Sequence, residues 1–380
     1  MGPSLLMRLV RLAHRWTGGL IGLLLFVLGL TGTVLVFKDD WLRAVVPHAA
    51  EARVSDPKII GAALDRAFAS SDRPRSVVLA TDRLGVHRLN YEDKTRGAYV
   101  AQSGQVVARW YSLWARPELW VFDLHHYLLI GDTGKTIAGI AGLAGLGFVI
   151  TGVILWWPTR RTFVFAVLPR TWKRPGIVKH HRDMGVWSAP VLAVVLATGA
   201  IVALSPLYDG LAKALSPRVD LEAAMAQPKH EGGPLSADLD WSAMMTAAQG
   251  RFPDAELRIV SLPTKPGGLI GLRMRRAAEW LPNGRTQVWF DPSDGRILGT
   301  RDALALPLGL RVVNAQYPIH AAKVGGLAYR LVVAIAGVAL TLLGSLAVVT
   351  FWSNPSGLPK RRRPRARPVQ DVGAGRASPD

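Results

Sequence analysis

The sequence predicts a mainly α membrane protein with four transmembrane helices, arranged as a duplicated helix–outer domain–helix unit. Four apolar runs, an uneven distribution of basic residues, and two internal similarities at constant offsets lead to this prediction. The chain has 380 residues, of which 49% are hydrophobic and 19% are charged. Soluble domains carry about 25% charged residues, so the composition already favours a membrane environment.

Each apolar run is long enough to cross a bilayer, which takes about 20 residues. The runs cover residues 16–37, 137–157, 185–204 and 327–352. The first run follows basic residues, as the apolar part of a signal peptide does. It is too long for that part, however, and no small-x-small cleavage site precedes Lys38. We therefore interpret it as a retained helix.

The basic residues are concentrated in three short segments. The chain has 46 Lys and Arg against 27 Asp and Glu, for a net charge of +19. Segments 1–15, 158–182 and 353–380 together hold seventeen basic and two acidic residues, whereas 38–135 and 205–326 each hold fourteen basic and twelve acidic residues. Cytoplasmic segments carry the basic excess in membrane proteins, so the short segments are expected inside and the long loops outside.

The net charge is thus a topology signal, and no nucleic-acid partner is expected. The lipid bilayer is the first expected partner. The basic run at 361–363 suits anionic lipid headgroups on the cytoplasmic side.

The chain resembles itself at two offsets. The first helix matches the third at an offset of 167, and the second matches the fourth at an offset of 195. The matching pairs are His14 with His181, Thr31 with Thr198, Gly32 with Gly199, His125 with His320, Gly131 with Gly326, Gly142 with Gly337 and Trp157 with Trp352. Both copies have the same topology, so their symmetry axis is expected along the membrane normal.

This organisation divides the chain into eight predicted segments. They are the N-terminus with the first helix (1–37), an outer module (38–135), the second helix (136–157), a basic loop (158–182), the third helix (183–204), a second outer module (205–326), the fourth helix (327–352) and a basic tail (353–380).

Both outer modules have an α+β pattern. Each begins with an amphipathic helical segment, 57–70 in the first and 237–251 in the second. Alternating strands follow at 76–80, 86–91 and 98–101, and at 256–262, 269–274 and 287–290. A turn comes next, at 102–104 and at 291–295, and the second of these has strong turn chemistry. We expect a helix packed on a small antiparallel sheet in each module.

Six of the nine histidines lie beside predicted membrane helices. The repeat pairs His14 with His181 at the inner face and His125 with His320 at the outer face. Two imidazoles that face each other across a symmetry axis suit a flat macrocycle with two axial ligands. His125 is followed by His126, and His181 is preceded by His180. One histidine of each doublet is expected to ligate, and the repeat offset favours His125 and His181.

Small residues and arginines accompany these histidines. Gly18 and Gly22 follow His14 at helical spacing, which leaves room for a porphyrin. Arg15 and Arg182 are next to the inner histidines, where guanidinium groups suit propionates. These patterns predict two haem groups of the b type, with His14, His125, His181 and His320 as axial ligands.

Other interpretations of the histidines weigh less. Histidines at helix ends are commonly interfacial, and membrane glycines commonly mark close helix packing. A mononuclear zinc or copper site needs three or four ligands, and each level offers two, or three with a doublet. The chain has no cysteine, which excludes disulfides, thiolate metal sites and iron–sulfur clusters.

Four segments carry a family resemblance. RLAHRWTGGLIGLLLFVLGLTGTVLVF, LHHYLLIGDTGKTIAGIAGL and KHHRDMGVWSAPVLAVVLATG resemble the PepSY-associated transmembrane family, and VWFDPSDGRILG is similar to a PepSY-domain hairpin. The resemblance implies a bacterial inner-membrane protein with two periplasmic PepSY-like modules. Some members of that family are described as di-haem reductases that release iron from ferric siderophores. The first module departs from the hairpin pattern, because Ala101-Gln102-Ser103 replaces the Asp-Pro-x-x pattern seen at Asp291-Pro292.

The expected function is transmembrane electron transfer. A separate cytoplasmic or quinol donor would supply electrons, and a periplasmic ferric chelate or another acceptor would receive them, which makes the protein a ferric-chelate oxidoreductase. No acid–base catalytic residue is needed, and the sequence shows no Ser-His-Asp, Walker A or dinucleotide motif. The alternative is a haem-free, membrane-anchored binding or regulatory protein that inhibits a protease or senses a ligand. A transporter is less favoured, because no Pro-broken midplane segment is present.

Overall fold

The computed structural model describes residues 5–229 and 231–353. His230 and the predicted basic tail from residue 354 onward, including the run at 361–363, lie outside these ranges. Within them, the α-helices are α1 (Leu5–Val36), α2 (Lys38–Val45), α3 (Pro57–Phe68), α4 (Pro117–Tyr127), α5 (Gly131–Trp156), α6 (Arg174–Ala203), α7 (Ser205–Leu215), α8 (Arg218–Met225), α9 (Trp241–Arg251), α10 (Leu308–His320) and α11 (Gly326–Trp352). The strands are β1 (Ser76–Val78), β2 (Val86–Asn90), β3 (Gly97–Ala101), β4 (Val106–Trp110), β5 (Glu256–Ser261), β6 (Ile270–Arg275), β7 (Thr286–Phe290) and β8 (Ile297–Arg301).

The long helices α1, α5, α6 and α11 are apolar enough to span a membrane, with mean hydropathies between 2.1 and 2.5. The prediction of a four-helix, multi-pass membrane protein is therefore confirmed. Two helices begin well before their apolar runs. α1 starts at Leu5 and α6 at Arg174, whereas the runs start at residues 16 and 185. An apolar run marks the part that suits hydrocarbon, whereas the helix continues into polar surroundings. α1 packs along α11, and α5 packs along α6.

The strands of both predicted modules form one antiparallel sheet of eight strands, in the order β4-β3-β2-β1-β5-β6-β7-β8. The two halves meet where β1 pairs with β5, with Val77 opposite Val260. The order is therefore symmetric about this junction. The expectation of a separate small sheet in each module is therefore wrong, because the two modules share one continuous sheet.

One hydrophobic core serves both halves of the sheet. α3 and α9 pack on the same face, where Leu64 and Met245 are buried together with Val77 and Val260. Sequence patterns predicted both helices and six of the strands. They did not predict β4 and β8, the second strand of each hairpin.

The opposite face of the sheet is covered by shorter helices. Leu42 of α2 packs with Tyr99 and Trp110 of the first half, and α7, α8 and α10 form a small core beside the second half. α4 leads into α5 and α10 leads into α11, so these two helices connect the sheet to the membrane bundle. Each of them carries a histidine in its last turn.

Candidate functional site

The four repeat-related histidines lie at two levels of the helix bundle. We call His14 and His181 the far-side pair, because they lie near the starts of α1 and α6, away from the sheet. His125 and His320 form the sheet-side pair, and they lie against Gly32 and Gly199 near the opposite ends of these helices. Eighteen residues separate His14 from Gly32, which corresponds to about 27 Å along a helix axis.

The far-side rings face each other from α1 and α6. Their centroids are 6.4 Å apart, and their planes are at 86°. Phe148 of α5 packs edge-on against His14, with centroids 5.3 Å apart. Membrane helices alone therefore deliver this pair.

The sheet-side rings come from α4 and α10, which are not membrane-spanning helices. Their centroids are 6.1 Å apart, and their planes are at 30°. A Cβ on Gly32 would lie 3.0 Å from Cε1 of His125, and a Cβ on Gly199 would lie 2.7 Å from Cε1 of His320. Real Cβ contacts are rarely so short, so each ring occupies the space that a glycine leaves. This contact explains why the repeated Thr-Gly pair has glycine at residues 32 and 199, where a larger side chain would collide with the ring.

Hydrogen bonds fix the protonated nitrogen of three rings. Nδ1 of His14 is 2.8 Å from Oγ1 of Thr151, and Nδ1 of His125 is 3.0 Å from Oγ1 of Thr31. Both threonine hydroxyls donate their hydrogen to a backbone carbonyl one turn earlier, so they accept from the ring. Nδ1 of His320 donates to the carbonyl of Val195 at 2.9 Å.

A proton on Nδ1 leaves the lone pair on Nε2, the arrangement of a histidine that ligates a metal through Nε2. His181 differs, because its buried Nδ1 makes no hydrogen bond of normal geometry within the described residues, although the ring lies beside the backbone of Leu343. At the repeat offset, Leu346 stands where the first half has Thr151. The second half therefore lacks, at this repeat position, a hydroxyl that could accept a hydrogen bond from His181 as Thr151 does from His14.

The spacing of both pairs suits a metal between them. A metal–imidazole nitrogen bond is about 2.0–2.1 Å long, and a ring centre lies about 1.1 Å from its nitrogen. Two axial imidazoles on one metal therefore have centroids about 6.3 Å apart. The observed 6.4 Å and 6.1 Å agree with that value.

Each pair opens into a cavity among the membrane helices. The far-side cavity has a volume of about 440 Å³ and the sheet-side cavity about 180 Å³. Leu192, Leu196 and Leu340 line both cavities, so one layer of leucines separates them.

Cations surround both cavities. The predicted Arg15 and Arg182 line the far-side cavity. Arg182 also donates to the carboxylate of Asp183 and to the carbonyl of Thr162. Sequence reasoning missed five further cations, which are Arg11 and Arg174 at the far side and Lys38, Lys135 and Lys323 at the sheet side. Arg11 is one helical turn before His14, and this spacing was a usable signal, whereas the lysines come from three separate segments.

The doublets differ in how they present their two histidines. His181 lines the far-side cavity, whereas His180 is buried outside its lining. His125 and His126 both line the sheet-side cavity, but it is His125 that faces His320. His126 stacks on Phe122 with ring centroids 3.9 Å apart.

Burial keeps the sheet-side imidazoles neutral. It lowers the pKa of His125 to about 3, with smaller contributions from His126 and His320. Burial also lowers the pKa of His320. Both rings are therefore unprotonated at neutral pH, as a metal ligand must be.

A family model described as the PepSY-associated TM region matches residues 11–354. The match covers nearly the whole chain, so the chain belongs to this family. No curated protein matches the chain.

Proposed function

With membership of this family as the premise, we propose that the protein transfers electrons across the bacterial inner membrane by means of two b-type haems, one at each level. His14 and His181 would hold one haem, and His125 and His320 the other. Each level would take one histidine from each of two copies of a helix–outer domain–helix unit, with the sheet in the periplasm and both chain termini in the cytoplasm.

The observation that carries this proposal is the pairing of the imidazoles. The ring centroids of both pairs are separated by the distance expected for two imidazoles on one metal. In three of the four rings the proton is on Nδ1, which leaves Nε2 free to bind the metal. Packed aromatic rings are commonly 4.5–7 Å apart, so the spacing supports the proposal through its recurrence at two levels and through the Nδ1 hydrogen bonds that accompany it. Among the described residues, no hydrogen bond occupies Nε2 of any of the four rings, so this nitrogen is available to a metal.

Surrounding residues supply the rest of a haem environment. Apolar side chains form most of the lining of both cavities, and a bound haem would add one-electron redox chemistry. Arg11, Arg15 and Arg174 at the far side, and Lys38 and Lys135 at the sheet side, line the cavities as cationic partners for propionates. The sheet-side cavity is below the usual range of about 300–1,000 Å³ for small-molecule sites. Binding there therefore requires lining side chains to move.

The proposed acceptor is a ferric chelate on the sheet side. One electron converts Fe(III) in the chelate to Fe(II), which oxygen-rich chelators bind more weakly, so the metal is released. No proton or covalent bond has to be transferred in this step. The electron comes from a separate donor, either a cytoplasmic reductant or a membrane quinol, and the protein acts as a ferric-chelate reductase.

Liposomes provide a direct test of this function. The protein is reconstituted with reductant trapped inside and with a ferric chelate and an Fe(II)-specific dye outside. The dye is expected to develop colour faster than in empty liposomes. Replacement of one ligand at either level, as in His14→Ala or His320→Ala, is expected to return the rate to that of empty liposomes, whereas His180→Ala is expected to retain it. Equal rates with and without protein would contradict the proposal.

A further inference from the structure

A row of basic residues crosses the second half of the sheet. Arg273 of β6 is opposite Gln287 of β7, and Gln287 is opposite Arg301 of β8. Residues that are opposite each other in neighbouring strands point to the same face of a sheet. Arg285 comes just before β7, two residues from Gln287, and extends the group.

This row lies on the face away from α9. Leu272, Met274 and Val288 alternate with the row and belong to the core beneath α3 and α9. On the row's own side, Nη1 of Arg301 donates to the carbonyl of Ala224 at 3.4 Å, at the end of α8. Nε of Arg285 donates to Oδ1 of Asn314 in α10 at 3.2 Å. The arginines therefore lie between the sheet and the helices that lead to the membrane.

The positive charge of the row is not balanced within the described part of the chain. None of the three arginines forms an ion pair there with a carboxylate. The charge of Glu279 acts on Arg273, but this single carboxylate cannot balance three guanidinium groups, and its oxygens accept from the backbone of Arg276 and Arg285 and from Thr286. Burial, together with Arg285 and Arg301, lowers the pKa of Arg273 to about 10. Partly buried like charges of this kind oppose folding unless an anion offsets them.

The first half of the sheet shows how the same face is balanced when no ligand is needed. Arg88 lies over the ring of Trp110, with 5.6 Å to the centroid. Arg116 lies over Tyr99 and pairs with the buried carboxylate of Glu118. Arg301 likewise lies over the ring of Trp289, with 5.2 Å to the centroid. The row therefore differs from the first half in having no ion pair with a carboxylate among the described residues.

We propose that Arg273, Arg285 and Arg301 form a binding site for an oxyanion ligand, with Gln287 as a neutral hydrogen-bonding residue between them. Arginine binds carboxylates and phosphates through two parallel hydrogen bonds. Arg273 and Arg301 are two strands apart, so their backbones are separated by about 10 Å. This distance suits a ligand that carries two or more carboxylate or phosphate groups.

The position of the site links it to the sheet-side cavity. Asn314 contacts Arg285, and one turn later in α10 Tyr317 lines that cavity. Resting on the proposed function, the site narrows the acceptor to an anionic, carboxylate-bearing ferric chelate. The same chemistry also suits the phosphate of an anionic lipid, so the experiment has to separate the two sources.

The test uses the full chain in nanodiscs of zwitterionic phosphatidylcholine, titrated calorimetrically with citrate and with ferric citrate. Both are expected to bind, and Arg273→Gln and Arg301→Gln are each expected to weaken binding by about tenfold or more. Arg296→Gln is the matched control, because Arg296 belongs to the same half of the sheet but is exposed and pairs with Asp294. This control is expected to bind as the wild type does.

A second arm replaces part of the phosphatidylcholine with phosphatidylglycerol. Loss of citrate binding in these discs, together with phosphatidylglycerol retention that depends on Arg273 and Arg301, would identify lipid phosphate as the anion. Absence of citrate binding and of arginine-dependent lipid retention would overturn the site, as would equal binding by the wild type and both arginine variants.

Haem absorbance, recorded on the same samples, separates this result from the proposed function. Arginine-dependent citrate binding by a protein without haem would retain the anion site and refute electron transfer. A full haem spectrum without citrate binding or arginine-dependent lipid retention would refute the anion site and leave the electron-transfer proposal standing.

Discussion

The far-side and sheet-side histidine pairs reach nearly the same ring spacing by different structural routes. The far-side pair lies within α1 and α6, with ring planes at 86°, beside the larger cavity and four arginines. The sheet-side pair lies at the ends of α4 and α10, with ring planes at 30°, beside the smaller cavity and three lysines. The comparison shows that a facing imidazole pair does not depend on one backbone arrangement, since the sheet positions one pair and the bundle the other.

The two routes differ in what fixes each ring. At the sheet side, both Nδ1 atoms have acceptors and both rings fill the space above a glycine. At the far side, Thr151 fixes His14, but Nδ1 of His181 makes no hydrogen bond of normal geometry among the described residues. We therefore expect the sheet-side rings to be the more rigidly oriented pair, and changes at one level to leave the other intact.

The largest expected effect is the loss of one haem when one ligand is removed. His14→Ala or His181→Ala is expected to lower haem content from two to one per chain, and His125→Ala or His320→Ala is expected to do the same at the other level. The pyridine haemochrome assay, normalised to protein, measures this content. A double variant within one level should retain one haem, and a double variant across levels should retain none. Unchanged content in all four single variants would refute the site assignment.

Substitution of Gly32 or Gly199 should affect only the sheet side, because a Cβ at either position would contact a sheet-side ring. A methyl group at Gly199 would lie 2.7 Å from the ring of His320, so Gly199→Ala should displace that ring and release more than half of the sheet-side haem. Gly32→Ala should have a smaller effect, because its contact with His125 is 3.0 Å. Gly147→Ala is the control, since a methyl group there would have no atom of the described residues within 4 Å. Equal haem content in Gly199→Ala and Gly147→Ala would show that the glycine space is not needed.

Threonine substitutions should have a more moderate effect. Thr151→Val and Thr31→Val remove the acceptors for His14 and His125 while they preserve shape. Loss of such a supporting hydrogen bond typically weakens metal binding 10- to 100-fold, or about 1.4–2.8 kcal/mol. Haem titration of the apoprotein measures the change at each level. Thr136→Val is the control, because the Thr136 hydroxyl bonds only to the carbonyl of Asp132 among the described residues; if it weakens binding equally, the ring hydrogen bonds are not responsible.

The smallest expected difference is spectroscopic. Perpendicular axial imidazoles give a more anisotropic low-spin ferric EPR signal than nearly parallel ones. The far-side level should therefore give the signal with the larger maximum g value, and His125→Ala should leave that signal alone. Two identical signals would mean that the 86° and 30° arrangements are not kept when haem is bound.

Local patterns in the sequence were sufficient for the four membrane helices, most strands and the histidine pairs. Apolar length identifies a membrane span, and the repeat offset pairs His14 with His181 and His125 with His320 without any knowledge of packing. The glycine contact was also encoded, because Thr-Gly recurs at the same offset, although its partner ring could not be named.

Other features depend on contacts between distant segments. The pairing of β1 with β5 joins Val77 to Val260, and no local pattern specifies that register. Lys38, Lys135 and Lys323 line one cavity only because three segments that are distant in the sequence converge there. The uncompensated charge of Arg273 likewise appears only when the neighbours on its sheet face are known.

The central claim is that each level holds a haem, and one measurement tests it most directly. The wild-type protein is purified in detergent, its reduced-minus-oxidised absorbance spectrum is recorded, and its haem is quantified against protein. We predict a low-spin b-type spectrum with two haems per chain. A preparation that contains no haem, and that cannot be loaded with haem, would contradict the account and favour a haem-free binding or regulatory protein.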